Sequence, residues 1–271
     1  MSNASSKAPV AAGSAVAAPQ PAKRQAPAWG VFAAVVVILI CFVALPTAAQ
    51  IVVSAIPSVL GWGSVRADQW VQHSDLANFL YVALAEALTS GFLFWFIRRR
   101  HGSFRRVVAL RKPRWSDAGY AFLGALSYIL LFIVVVQVVS AILPLDTTKE
   151  QAIGFDKHST GLGLLLPFIS LAILPPIVEE MVFRGFFYGT LRARNIRMGT
   201  SILVTSLVFG SLHLFGSGDG SLLWIAFVDT FVLSLILCYV REKTGSIVAT
   251  IMIHALKNGF VFLNLFILGA R

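Results

Sequence analysis

A succession of apolar stretches, most of them long enough to cross a bilayer, limits what this chain can fold into more than any other feature. They run from Val31 to about Ile56, Leu76 to Ile97, Ala118 to Leu143, Leu162 to Leu191, Thr200 to Phe215, Leu222 to Val240 and Ile247 to Leu268. Roughly 20 helical residues cover the hydrocarbon core. A backbone in lipid must satisfy its own hydrogen bonds, which leaves the α-helix for segments of this kind. The expected fold is therefore an all-α, polytopic transmembrane bundle of about seven spans (six to eight) over residues 29–270. Only 13% of the residues are charged, about half the share in a soluble domain. With the spans accounted for, no length remains for a separate soluble domain.

Residues 1–28 are rich in Ala, Pro and Ser without hydrophobic periodicity, and read as a disordered tail. The first run has a cleavage-like Thr47-Ala48-Ala49, the mark of a signal peptide. Its hydrophobicity continues past that site, which favours an uncleaved span. Cys41 and Cys238 are isolated thiols inside spans and read as small apolar residues, not as a disulfide.

The formal charge of +10 would point to nucleic acid in a soluble protein. Here the basic residues gather between spans, so they report topology. The tail, the Arg98–Arg114 segment, the turn with Arg192, Arg194 and Arg197, and the turn with Arg241 and Lys243 fall on one side. The other side has Arg66, Lys149, Lys157 and Arg271. This bias places the N-terminus in the cytoplasm and the C-terminus outside a cell membrane, with no nucleic-acid partner.

Against this background stand the ionisable groups inside the spans. Each is a functional-site candidate, because charge in hydrocarbon costs several kcal/mol. Glu179, Glu180 and Arg184 share the fourth stretch, which Pro167, Pro175 and Pro176 interrupt. Pro176 suits a first helical turn, so the glutamate helix is expected to begin there. Glu180 and Arg184 are four residues apart and can pair on one face. Glu179 points about 100° away, free to serve as a general base. His213 follows Phe209 by four residues on the short fifth stretch, and His254 and Asn258 share a face of the last. At 1.5 Å per residue, Glu179, His213 and Asn258 all lie roughly 20 Å from the cytoplasmic ends of their helices, and His254 about 14 Å. Residues assigned to sides by basic charge alone thus fall in one layer of the bilayer. His254 and Asn258 could donate to an oxyanion. Glu179, His213 and His254 could instead hold a zinc ion, since two His and a carboxylate form a known set. Lys257, Asp229 and Glu86 are further intramembrane charges, and Asp229 is the natural partner for Lys257.

Three motifs in order, Glu-Glu-x-x-x-Arg at Glu179, Glu180 and Arg184, Phe-x-x-x-His at Phe209 and His213, and His-x-x-x-Asn at His254 and Asn258, resemble the CAAX-protease and bacteriocin-processing (Abi) family of intramembrane endopeptidases. Thr244-Gly245-Ser246-Ile247 resembles the family too, and the likeness covers about 162–268. It implies peptide-bond hydrolysis inside the membrane, on a peptide or protein substrate that in some members is lipidated. Glu179 with His213 would activate water, His254 and Asn258 would hold the oxyanion, and Glu180, Arg184 and Phe209 would support them. A transporter or ion-coupled carrier also uses buried Glu, His and Asp. The internal repeats common in carriers are not evident, because the polar residues concentrate in the C-terminal half.

Overall fold

A computed structural model describes residues 28–269, apart from 101, 144, 150, 216, 218 and 219. The tail expected to be disordered lies outside the described residues except for Ala28. Nine helices follow among the described residues: α1 Val31–Val59, α2 Ser64–His73, α3 Asp75–Arg99, α4 Phe104–Val107, α5 Trp115–Ile142, α6 Gly161–Ala193, α7 Met198–Leu212, α8 Trp224–Thr244 and α9 Val248–Ile267. Six of them (α1, α3, α5, α6, α8 and α9) are long and apolar enough to span a membrane, and α7 is a shorter apolar helix. The polytopic all-helical bundle expected from the apolar runs is what forms.

Its surface is inverted relative to a soluble protein. Phe122, Leu123, Ile129, Leu130, Ile133 and Val134 of α5 are exposed, whereas Ser201, Thr205, Ser206, Ser234 and Thr250 are buried between helices. Hydrocarbon makes exposed apolar side chains neutral, and small polar residues let helix backbones approach. The α8 helix packs against α5, α7 and α9, and α6 lies against α1, α3 and α9.

The fourth apolar stretch departs from expectation. The α-helical segment that carries Glu179 and Glu180 does begin at the prolines, at Leu174 with proline in its first turn, but it is not a separate helix. α6 runs on through them, changing register in two π-helical segments, Ile169–Ile173 and Met181–Phe187. A proline inside a helix removes one N–H and orphans the carbonyl four residues before it. For Pro175 that carbonyl belongs to Leu171, and it accepts a hydrogen bond from Asn258 Nδ2 at 2.9 Å. A neighbouring helix thus repairs the break, and α6 stays whole through the layer where its carboxylates sit.

From the second π segment onward α6 is clamped by its neighbours. Trp29 Nε1 donates to Thr190 Oγ1 at 2.9 Å and its ring stacks on Phe186. Arg192 Nη2 and Tyr188 OH both reach Glu242 on α8, at 3.0 and 2.9 Å. The segment after α4 presses against Gly185, where a Cβ would meet Val108 Cα at 2.7 Å. Only glycine admits that backbone approach without displacement.

Candidate active site

Four helices bring their polar residues together. α6 supplies Glu179, Glu180 and Arg184, α7 supplies Phe209 with His213 just past its end, α9 supplies His254 and Asn258, and α3 brings Glu86 within electrostatic range of Glu179.

The base of the site is an ion pair with a third member. Arg184 Nη1 lies 2.8 Å from Glu180 Oε1, a pairing the four-residue spacing allows, and both side chains are fully buried at 0% exposure. His254 Nδ1 reaches the same oxygen at 3.0 Å. Phe209 is the slab on which these groups are arranged. The Arg184 guanidinium lies 4.4 Å from its ring centroid, and the rings of His213 and His254 contact it at 4.8 and 6.0 Å between centroids. That contact explains the phenylalanine of the second motif physically: a quadrupolar ring face attracts the cation and seats both imidazoles.

Glu179, as expected, stands outside the ion pair. Its Oε2 is buried with no hydrogen-bond partner among the described residues and faces His254 Nε2 at 3.9 Å. The protonation pattern follows from the acceptors. Glu180 Oε1 only accepts, so His254 Nδ1 carries the hydrogen, and Nε2 of the neutral ring is an acceptor. Two acceptors 3.9 Å apart are spaced so that one water oxygen, admitted by a small side-chain movement, would lie about 2.8 Å from each. Such a water donates both hydrogens, one to the carboxylate and one to the imidazole, and its lone pairs point away from both.

His213 sits just past the end of α7 and is held by its own helix. Its Nδ1 is 2.9 Å from the Phe209 carbonyl, so this nitrogen also carries the hydrogen and Nε2 is the acceptor. The contact to Glu179 comes from His254. Asn258 spends one amide hydrogen on Leu171 and keeps the second. Lys257 pairs with Asp229 at 2.8 Å as charge balance demanded. Tyr128 on α5 donates its hydroxyl to the other oxygen of Asp229. Tyr128 escaped the sequence reading. The available signal was a phenol deep in an apolar span, where a hydroxyl needs a partner.

Among the described residues no three His, Cys, Asp or Glu side chains gather closely enough to hold a metal ion. No step below runs through an ion.

Residues 161–260 match the Rce1-like family, described as type II CAAX prenyl endopeptidase Rce1-like. A protein of Escherichia coli described as an uncharacterized 24.3 kDa protein is 30% identical over 92 residues, 34% of this chain and 40% of that one, so the match spans about two-fifths of the relative's length. The UPF0177 protein YxdF of Lactococcus lactis is 23% identical over 152 residues, 56% of this chain and 76% of its own. No solved structure matches. Over residues 161–260, the stretch that carries all three motifs, the chain is similar to the type II CAAX prenyl endopeptidases, and the resemblance drawn from those motifs is borne out there.

Proposed function

We propose that this chain is an intramembrane endopeptidase that hydrolyses a peptide bond with a water activated by Glu179. One observation carries the reading: a buried, unpartnered carboxylate oxygen of Glu179 faces an imidazole acceptor at 3.9 Å. The match of this same region to a CAAX endopeptidase family supports it.

In the proposed reaction the water loses a proton to Glu179 and its oxygen bonds to the scissile carbonyl carbon. The carbonyl oxygen takes the negative charge. When the C–N bond breaks, Glu179 returns the proton to the leaving amine nitrogen. His254 orients the water, held in its tautomer by Glu180, which is in turn held by Arg184. This moves His254 from the oxyanion to the water, and assigns His213, whose Nε2 accepts, as a second acceptor for that water. The remaining amide hydrogen of Asn258 is assigned to the oxyanion. No Ser or Cys nucleophile is required.

The substrate is a membrane-borne peptide or protein, with a lipidated C-terminal segment as the form suggested by the matched family. The N-terminus lies in the cytoplasm and the C-terminus outside the cell membrane, as the basic residues indicate. A zinc-dependent version is the alternative mechanism.

Purified protein incubated with a quenched peptide library in detergent tests the proposal. Glu179→Ala and His213→Ala should each abolish cleavage while the protein stays folded. Undiminished cleavage in the Glu179 variant contradicts the reading. Loss of activity on chelation, restored by one metal, rejects the metal-free chemistry.

A further inference from the structure

The proposed hydrolysis leaves a shortage of donors where the oxyanion forms. Both imidazoles commit their N–H to protein acceptors, His254 to Glu180 and His213 to Phe209. Their Nε2 atoms accept in the neutral rings and cannot stabilise a negative oxygen. Asn258 has a single amide hydrogen left.

A donor with capacity to spare stands one turn along α9. Lys257 follows His254 by three residues, which sets it on a neighbouring row of the helix surface, about 4.5 Å further along the axis. Its partner Asp229 lies on α8, which packs against both α7 and α9, the helices that carry His213 and His254. The Lys257 ammonium has three N–H bonds, and its hydrogen-bonding partner among the described residues is Asp229 Oδ2, at 2.8 Å. Both oxygens of Asp229 are occupied, one by Lys257 and one by Tyr128. The triad is net neutral, and the two ammonium N–H bonds not spent on Asp229 remain as donors, which suits a carbonyl oxygen that gains charge during reaction. It is also open. Lys257 and Asp229 are 17% and 20% exposed, whereas the Glu180–Arg184 pair is sealed at 0%.

We propose that Lys257 is a catalytic residue that donates to the scissile carbonyl oxygen and holds it as an oxyanion, with Asp229 and Tyr128 as positioning residues. The inference rests on the hydrolase reading. Lys257 neither gives nor takes a proton in the cycle. The negative charge collects on the carbonyl oxygen as water attacks and disperses as the C–N bond breaks, the amine taking its proton from Glu179.

The test uses the full chain reconstituted in liposomes and a quenched peptide that it cleaves. Lys257→Met should lower kcat by about 100- to 1,000-fold, the effect of removing one oxyanion donor. KM should stay within about threefold, because the contact strengthens only in the transition state. Lys257→Met combined with Asp229→Leu removes both charges together, so no ion is left unpaired. If the pair were merely a strut, this double variant would regain kcat; the proposal predicts that it remains folded and slow. Folding is read from protection of the buried thiols of Cys41 and Cys238. An unchanged kcat in Lys257→Met, a rise in KM alone, or recovery to within about threefold of the parent in the double variant overturns the proposal while leaving the hydrolase reading intact. Failure of the folded parent to cleave any peptide overturns both.

Discussion

Replacing Arg184 with methionine isolates the energetics on which the site is built. Arg184 and Glu180 are both at 0% exposure and 2.8 Å apart, so the variant leaves a carboxylate buried without its counter-charge. Breaking a buried pair by removing one partner costs about 3–5 kcal/mol. Loss of the guanidinium from the Phe209 face, 4.4 Å from the centroid, adds about 0.5–2 kcal/mol. The first effect dominates and predicts a shift of roughly a hundredfold to several thousandfold in the unfolding equilibrium. Cys41 and Cys238 are buried free thiols, so labelling by a thiol-reactive fluorophore along a denaturant or temperature series reports unfolding without an engineered labelling site. The double variant Glu180→Leu/Arg184→Met should recover most of that stability, since no lone charge remains. It should nonetheless be inactive, because His254 Nδ1 has lost the acceptor 3.0 Å away that fixes its tautomer. If Arg184→Met instead costs no more than the ~0.5 kcal/mol of an exposed pair, the sealed ion pair is not what holds this site.

Asn258→Ala leaves the Leu171 carbonyl unsatisfied beside Pro175 and should destabilise the protein by about 1–3 kcal/mol, measured by the same thiol labelling. Gly185→Ala places a Cβ 2.7 Å from Val108 Cα and should cost about 1–3 kcal/mol through overpacking; thermal unfolding of the purified variant checks it. Trp29→Phe removes the hydrogen bond to Thr190 but keeps a ring on Phe186, so the loss should be about 0.5–1.5 kcal/mol, seen as a small fall in melting temperature with cleavage unchanged.

The spans were legible because hydrocarbon admits few alternatives: a run of apolar residues between basic turns becomes a helix, and α1, α3, α5, α8 and α9 follow those runs closely. The pairing of Glu180 with Arg184 and of Lys257 with Asp229 was legible too, since an ion in that layer needs a partner. What escaped depends on register and on contacts between distant segments. The prolines of α6 look like a boundary in sequence, yet two π-helical segments and the amide of Asn258 let the helix continue. Which imidazole faces Glu179 is set by the rotation of α9 against α6, and spacing within one helix does not carry that information. The approach of Val108 to Gly185 joins segments far apart in the chain, and a lone glycine in an apolar helix gave no sign of its neighbour.

A double-mutant cycle on kcat/KM for Glu179→Gln and His254→Ala addresses the central claim most directly. If the carboxylate and the imidazole hold one water between them, either change destroys the same arrangement, and the double variant should be no slower than the worse single variant. Losses that multiply across the cycle would mean that the two groups act on separate steps, and the shared water would have to be abandoned.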